Sequence, residues 1–336
     1  IGSMPGTAAR ESAAIIVGEL ADFVHVPELP ARGPGADMVG RTMGLLAGVS
    51  GEFGVETTPD GWRISGSAGR QMRRAQSWLG EDLDAIEEAA SDYTGPVKTQ
   101  IAGPWTLAAS VEMPTGERML RDPGACWDLT SALREAITGH VADLRRRFPK
   151  ASSVHVQVDE PALTAVLAGT IGTASGLSTY RAVEVQTAGR ALQELTSNHA
   201  GGRIGFHCCA SDPAVDLLRE SGAQFISIDA THLGRDFSLD DRLGRAFDAG
   251  IGVWLGAVPA VGQGRISDAR AAAPVVSLLD RLGLTDDTWL AQVVVTPSCG
   301  LAGADPTWVR TALSACRSVG RGLRDDEREE GGSDAT

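Results

Sequence analysis

Short apolar runs alternate with longer amphipathic segments along almost the whole chain. Each short run is nearly continuous in apolar residues, which is typical of a strand buried on both faces of a parallel sheet. An eighth strand is expected to end at Ile1, just before a turn at Gly2 and Ser3. The seven runs that predict strands are Phe23–Val26, Val97–Ile101, Val154–Val158, Ile204–Phe206, Phe225–Ile228, Ile251–Leu255 and Val293–Val295.

Helical patterns separate these strands, and strand–helix alternation predicts a parallel sheet. Eight such units without a long Gly/Ser linker favour an α/β fold with a single (β/α)8 TIM barrel. A doubly wound open sheet is the alternative, but no G-x-G-x-x-G motif follows the first strand. The predicted helices are Ala8–Leu20, Arg70–Ala90, Ser131–Arg147, Tyr180–Ser197, Pro213–Glu220, Leu239–Asp248, Ile266–Leu282 and Pro306–Val319.

Two segments depart from this alternation. The stretch 51–69 contains the turn residues Thr58-Pro59-Asp60-Gly61 between two short polar runs, which predicts a hairpin-like insertion. The stretch 324–336 is rich in Asp, Glu, Gly and Ser, so we expect a disordered acidic tail. The catalytic barrel is therefore expected to occupy residues 1–323.

Charge and composition narrow the range of partners. The 336 residues carry a formal net charge of -13, and such a surface repels phosphate backbones and anionic lipid. We therefore expect neither nucleic-acid nor membrane binding. Five cysteines, an odd number in a large chain, argue against a disulfide scaffold. No signal peptide or membrane-length apolar run is visible, so we expect a cytoplasmic protein.

Candidate metal ligands stand at the ends of three predicted strands. His207 and Cys209 are two residues apart, so they face the same side of their strand. Asp229 ends the next strand, and Cys299 follows the last one. Because all strands of a parallel barrel open on one face, these side chains are expected to converge there. One imidazole, two thiols and a carboxylate are a donor set that suits zinc.

Simpler interpretations of these residues stay open. Cysteine is often a small buried apolar residue, Asp229 could cap the helix that follows, and Cys299 could pack at a turn. If zinc is bound, two thiolate ligands favour a nucleophilic thiolate over a polarised hydrolytic water. The sequence then predicts that a substrate thiol enters the exchangeable position of the metal and attacks an electrophilic carbon.

Several motifs outside the candidate metal site complete a recognisable set. The full set comprises Ile1–Thr7, Val97-Lys98, Gly103–Thr106, Gln157–Leu163, His207-x-Cys209, Asp229 and the stretch Thr296-Pro-Ser-Cys299-Gly-Leu. Together these motifs resemble the cobalamin-independent methionine synthases. The resemblance extends over nearly the whole chain and is to the C-terminal catalytic barrel of those two-barrel enzymes.

The resemblance implies a zinc site and a homocysteine site. By position, His207, Cys209 and Cys299 would be zinc ligands, and Asp229 stands where the family has a Glu that is one methylene longer. The remaining matches concern the amino acid: backbone and hydroxyl donors would hold its carboxylate, and acidic side chains would hold its ammonium group. These homocysteine-binding positions are Ile1, Gly2, Ser3, Glu28 and Asp159.

The folate half of the family's site is largely missing. Ser110 stands where the family has a Trp that packs against folate, and Ala165 stands where it has a Glu. The family's Arg-Cys-Val segment and its proton-donating His have no clear counterpart. His232, on the loop after Asp229, is a weak candidate to replace that acid/base residue.

The sequence therefore predicts a zinc-dependent methyltransferase that converts homocysteine to methionine. The methyl donor is left open between methyl-folate and a methyl-corrinoid protein. Two alternatives also stay open: a zinc alkyltransferase that acts on another thiol, and a catalytically inactive barrel that binds zinc or homocysteine. A decarboxylase of the related uroporphyrinogen type is a weaker interpretation, because it needs no zinc.

Overall fold

The computed structural model of the protein describes residues 2–197, 202–234, 237–284 and 287–330. Within these ranges, each of the seven predicted apolar runs overlaps a strand, in agreement with the strands expected to be buried on both faces. The strands are β1 Val24–His25, β2 Val55–Thr58, β3 Gly61–Ile64, β4 Val97–Ala102, β5 Val111–Glu112, β6 Val154–Asp159, β7 Arg203–Cys208, β8 Phe225–Asp229, β9 Gly252–Val258 and β10 Val293–Pro297.

A curled parallel sheet of seven strands forms the centre of the described chain. Its order is β1-β4-β6-β7-β8-β9-β10, so strands that follow one another in this series are also neighbours in space. Helices connect them, as parallel pairing requires. The α/β class and the parallel arrangement predicted from the sequence are confirmed, and the curled sheet is of the kind found in TIM-like barrels.

Each predicted helix overlaps a helix in the structure. The helices are α1 Ala9–Glu19, α2 Met38–Val49, α3 Arg70–Ala89, α4 Pro104–Ser110, α5 Pro123–Arg147, α6 Leu163–Ala168, α7 Val185–Thr196, α8 Val215–Glu220, α9 Phe237–Asp248, α10 Asp268–Leu282, α11 Asp287–Leu290 and α12 Pro306–Glu330. No counterpart was predicted for α2, α4, α6 or α11. Helix α5 begins at Pro123 rather than Ser131, because Asp122 caps it by accepting bonds from the backbone N–H groups of Gly124 and Ala125.

Side chains on the central strands alternate between the helix layer and the inside of the curled sheet. On β4, Thr99 bonds to His140 of α5 at 3.0 Å, so this side of the strand faces the helix layer. The alternate residues Lys98 and Gln100 bond to each other inside the sheet, where both are buried. Since side chains alternate along a strand, the interior of the curled sheet is polar enough to hold a chemical site.

The first described residues join the two ends of this sheet. Ser3 forms a parallel bridge with Glu28, which follows β1. On the other side, the backbone N–H of Leu301, after β10, donates to the carbonyl oxygen of Ser3 at 2.9 Å. Ile1, where the eighth strand was predicted to end, lies outside the described residues.

The stretch 51–69 contains an antiparallel hairpin of β2 and β3, and β3 also pairs with β5. Gly61 at the turn has φ of 136°, a conformation that glycine adopts without strain. At the other end of the chain, α12 continues to Glu330, so it extends into the stretch 324–336 for which we predict a disordered acidic tail. Residues 331–336 lie outside the described part.

None of the helices in the described ranges combines the length and apolar composition that a bilayer span requires.

Candidate metal centre

His207 and Cys209 lie at the carboxyl end of β7. His207 is buried, whereas the side chain of Cys209 is partly accessible. Cys208, between them, is fully buried and points to the opposite side of the strand. The strand thus delivers one imidazole and one thiol to the same face, as the His-x-Cys spacing predicts.

Cys299 reaches the same place from the far edge of the sheet. The pairing of β10 with β9 shifts register between Thr296 and Pro297, which bends the chain just before Cys299. Gly256 on β9 permits this bend, because a Cβ atom there would lie only 2.7 Å from the Cα of Ser298. Without a side chain at 256, the backbone before Cys299 packs directly on β9.

The donor atoms of His207, Cys209 and Cys299 all lie within 4.8 Å of one another. Hydrogen bonds from Cys209 and then His207 lower the pKa of the Cys299 thiol to about 4. The pKa of Cys209 is raised, first by its hydrogen bond to Cys299 and then by burial. The three side chains therefore concentrate negative charge on sulfur next to an imidazole, an arrangement that favours a soft cation.

Ser227 on β8 fixes the other side of the imidazole. Its Oγ lies 3.0 Å from Nδ1 of His207, and both residues are buried. Imidazole ligands usually bond through one nitrogen to the metal and through the other to such an outer partner. Ser227 was not predicted, although its position two residues before Asp229 on an inward-facing strand side could have indicated it.

Asp229 does not belong to the donor group found among the described residues. One oxygen accepts a bond from the backbone N–H of Thr231 at 2.8 Å, which caps the short helical turn 230–232. The other lies 3.7 Å from Nε2 of His232. The carboxylate thus follows the capping interpretation, because a side chain one methylene shorter than Glu is held by its own turn.

The predicted homocysteine-binding residues gather at the same face. Ser3 lies against the loop that carries Cys299, since a Cβ at Gly300 would approach Ser3 Oγ to 2.0 Å. Gly2 packs on Gln100, whose side chain would clash with any Cβ at position 2. Ile1 lies outside the described residues, so its part in the site stays a prediction.

Two buried carboxylates, Glu28 and Asp159, complete this face. Asp159 is paired in register with His207 on the neighbouring strand, and it accepts a bond from Gln157 Nε2 at 2.6 Å. Burial, and to a smaller extent the charge of Asp159, raises the pKa of Glu28 to about 7 against the opposing charge of Arg41.

Buried polar residues to which the sequence analysis assigned no role support these two acids. Burial lowers the pKa of Lys98 to about 8, although the charges of Asp159 and Glu28 oppose that shift. Arg41 lies 3.9 Å from Glu28 and is itself paired with Asp82. The alternation of Lys98 and Gln100 along a strand is the one signal that could have marked an inward polar face.

Glu160, beside Asp159, has a structural role. Its carboxylate accepts bonds from the backbone N–H groups of Trp105 and Thr106 and from the Thr106 hydroxyl. It thereby caps the first turn of α4, and Gly103 leaves the space that the carboxylate needs. The Gly-Pro-Trp-Thr and Asp-Glu-Pro-Ala motifs are thus one structural unit.

Fold and site define an α/β protein of TIM-like type with a sulfur-rich donor group at its strand ends. Residues 1–321 match the family described as the catalytic domain of cobalamin-independent synthase, and the chain belongs to that family. The resemblance predicted from the motifs is therefore confirmed. A search of curated proteins finds no match.

Two solved structures are similar to this chain at low sequence identity. A B12-independent methionine synthase from Shewanella sp. W3-18-1, in complex with selenomethionine, superposes with a TM-score of 0.53 and 14% identity, covering 80% of this chain and 72% of the other. A β-methylaspartase from Clostridium tetanomorphum, in a magnesium complex, gives a TM-score of 0.44 and 13% identity over 96% of this chain and 57% of the other. The first similarity supports the TIM-like fold.

Proposed function

We propose that this chain is a zinc-dependent methyltransferase that moves a methyl group to the thiol of homocysteine to give methionine. One observation carries the proposal: Asp159 is in register with His207 on the adjacent strand. Asp159, the proposed binding group for an ammonium ion, therefore lies one strand spacing, about 5 Å, from the metal ligand His207. This separation suits an amino acid whose thiol reaches the metal.

The three donors fit zinc. A tetrahedral zinc with bonds of about 2.0 to 2.3 Å separates its ligands by roughly 3.5 to 3.8 Å, and the three donor atoms of His207, Cys209 and Cys299 lie within 4.8 Å of one another. Three protein ligands leave the fourth position exchangeable, as in catalytic sites. Bound zinc would lower the pKa of the substrate thiol and keep it as the nucleophilic thiolate.

The chain's own residues would bind and orient the amino acid. Asp159 and ionised Glu28 attract the ammonium group, and the backbone and hydroxyl of Gly2 and Ser3 bind the carboxylate, with Ile1 as the expected third member. Ser227 Oγ bonds to Nδ1 of His207, which leaves Nε2 for the metal. These contacts place the substrate sulfur at the open position and reduce the entropy cost of reaction.

Three further features are part of this proposal: the closed barrel, the acid/base residue and the methyl donor. The segment from Gly2 to Met4 would complete an eight-stranded barrel, because it already bridges the two outer strands. His232, next to Asp229, is the proposed acid/base residue. The family's methyl donor is methyl-folate, but Ser110 and Ala165 replace two folate-contacting residues, which favours a methyl-corrinoid protein or another methylated donor.

The test combines metal analysis with turnover. Purified protein should contain close to one zinc per chain and form methionine from homocysteine with one of the candidate donors. Cys299→Ser should lose most of the zinc and the activity, whereas Cys208→Ala, at a cysteine that faces away, should keep both. Equal zinc in the two variants would contradict the assigned ligand set.

The ligands that coordinate zinc can show whether the acceptor is homocysteine or another thiol. X-ray absorption of the zinc-loaded protein should report one additional sulfur ligand when homocysteine is added. If homocysteine leaves the spectrum unchanged while another thiol alters it, the protein is an alkyltransferase for that thiol. If homocysteine binds but no donor is used, the inactive homocysteine-binding barrel is the better description.

A further inference from the structure

A cavity of about 450 Å³ opens at the amino ends of the central strands, whereas the metal ligands lie at their carboxyl ends, and it runs along β10 as far as Pro297. The first residues of several strands line it, among them Lys98, His155, Arg203 and Phe225, and helix α12 forms its outer wall. Arg203 begins the strand on which His207 lies four residues later, which corresponds to about 13 Å along a strand. Its volume is in the usual range for small-molecule sites.

The inner wall of the cavity is aromatic. Trp254 stacks on Phe225 with ring centroids 3.8 Å apart and an angle of 9° between the planes. Phe23 meets Trp254 edge-on at 5.3 Å. All three residues line the cavity, so it offers a flat organic body both ring faces and ring edges.

Two buried histidines in this wall have unused hydrogen-bonding capacity. Nε2 of His25 and Nδ1 of His155 have no hydrogen-bond partner among the described residues, although the two side chains are only 3% and 8% exposed. Burial lowers the pKa of both, and nearby cations lower it further: Lys98 for His25, and Arg203 then Lys98 for His155. Both imidazoles are therefore neutral near pH 7, and each can bond to a polar group.

The mouth of the cavity is cationic in a protein whose net charge is -13. Arg203, Arg317 and Arg324 line it, and Asp22 is the acid nearby. Asp22 pairs with Arg321 at 3.2 Å and Glu19 with Arg317 at 3.9 Å, whereas Arg203 has no ion pair within the described ranges. The local excess of positive charge is thus left to attract an anion.

We propose that this cavity is a second ligand site, which takes an organic anion with a flat apolar body and one acidic group. The body packs on the wall of Trp254 and Phe225, and the acidic group lies at the mouth beside Arg203. The metal centre is at the other end of the same strands, so the occupant is not a reactant there. The inference is independent of the proposed methyl transfer.

Two fluorescent probes that differ by one acidic group test the ligand class. The probe 8-anilinonaphthalene-1-sulfonate has the apolar body and the charge, and N-phenyl-1-naphthylamine has the same body without the sulfonate. Titration of the zinc-loaded full chain should give saturable 1:1 binding of the sulfonate, at least tenfold tighter than that of the neutral probe. Raising the salt concentration should weaken the binding of the sulfonate probe and leave the binding of the neutral probe unchanged.

Two glycines of α12 supply a matched pair of variants for locating the bound probe. Gly320 lines the cavity, and a Cβ there would meet only Arg324 Nη2, at 3.8 Å. Gly322 is outside this lining, and a Cβ there would meet nothing within 4 Å. Gly320→Phe should fill the cavity and weaken sulfonate binding at least tenfold, whereas Gly322→Phe should leave it unchanged. Both replace a helical glycine, so both should fold.

Charge reversal provides a variant that does not depend on filling the cavity. Arg203→Glu, at an exposed position, should weaken the binding of the sulfonate probe about tenfold and leave the binding of the neutral probe unchanged. Zinc content should stay the same in every variant. Absence of saturable binding, equal affinity for the two probes, or undiminished binding by Gly320→Phe and Arg203→Glu would overturn the proposal.

Discussion

Ser227 Oγ lies 3.0 Å from Nδ1 of His207, so a serine on β8 holds the imidazole of the neighbouring strand. The bond fixes both the ring orientation and the nitrogen that remains free. A ligand oriented in advance loses less rotational freedom when it binds a metal, and such outer partners contribute about 10- to 100-fold to metal affinity.

We therefore predict that Ser227→Ala weakens zinc binding by about 10- to 100-fold, measured by competition with a chelator. The matched control is Thr99→Ala, which removes another buried hydroxyl bonded to a histidine, His140, at 3.0 Å on the helix side of the sheet. It should lower thermal stability by a similar amount and leave zinc affinity unchanged. Equal zinc affinities in the two variants would show that the Ser227 bond is only structural.

A second prediction concerns the close approach at Gly256. A methyl group there would lie 2.7 Å from Ser298 Cα and 2.9 Å from the carbonyl oxygen of Ile228, both backbone atoms. We expect Gly256→Ala to shift the segment carrying Cys299, to lower the free energy of unfolding by about 1–3 kcal/mol, and to reduce zinc affinity at least tenfold.

The control for this substitution lies on the same strand. A Cβ at Gly252 would meet Phe225 Cβ at 3.2 Å and no backbone atom closer than 3.5 Å. Gly252→Ala should therefore cost less stability and retain zinc. Should Gly256→Ala bind zinc as tightly as Gly252→Ala, the packing of Ser298 on β9 does not determine where Cys299 lies.

The central sheet could be predicted from the sequence because its strands are buried on both faces. Continuous apolar runs have few other interpretations at that length, and the convergence of His207, Cys209 and Cys299 follows from the shared direction of parallel strands. Helix α2 was missed because Met38–Val49 is apolar nearly all round and contains three glycines, so no amphipathic period is visible.

The outer contacts of the site were harder to predict, for a different reason. Ser227 is an isolated serine in an apolar strand, and its partner belongs to another strand whose register the sequence does not specify. The position of Cys299 depends on a register shift in β10 and on missing side-chain volume at Gly256. Asp229 was expected among the metal ligands from its strand-end position, but a local hydrogen bond to Thr231 determines its orientation.

A third prediction follows from the raised pKa of Glu28. Burial, opposed by the charge of Arg41, brings this pKa to about 7, so the carboxyl group is mostly neutral at pH 6 and mostly charged at pH 8. The ammonium group of a bound amino acid attracts only the charged form. We therefore expect the affinity for L-methionine, which has no titrating thiol, to rise about tenfold from pH 6 to pH 8.

Calorimetry on wild type and Glu28→Gln would measure this dependence. The amide cannot ionise, so the variant should bind methionine weakly and with little change over the same pH range. Asp159→Asn provides the comparison: it should also weaken binding but should retain the rise with pH, because Glu28 is still present. A wild-type affinity that is flat or falls with pH would exclude Glu28 as an ammonium-binding group.

The last prediction concerns the predicted metal ligand that lies outside the donor group. Asp229 caps the turn at Thr231 and faces His232, and it is outside the donor group formed by His207, Cys209 and Cys299. We expect Asp229→Ala to keep near-stoichiometric zinc with affinity within about threefold of wild type, and to lose about 1 kcal/mol of stability through the missing cap. Asp229→Ser, which can still cap, should recover that stability. If Asp229→Ala instead loses zinc as Cys299→Ser does, the carboxylate turns away from its cap to bind the metal. The open coordination position proposed for the substrate thiol would then require a ligand exchange.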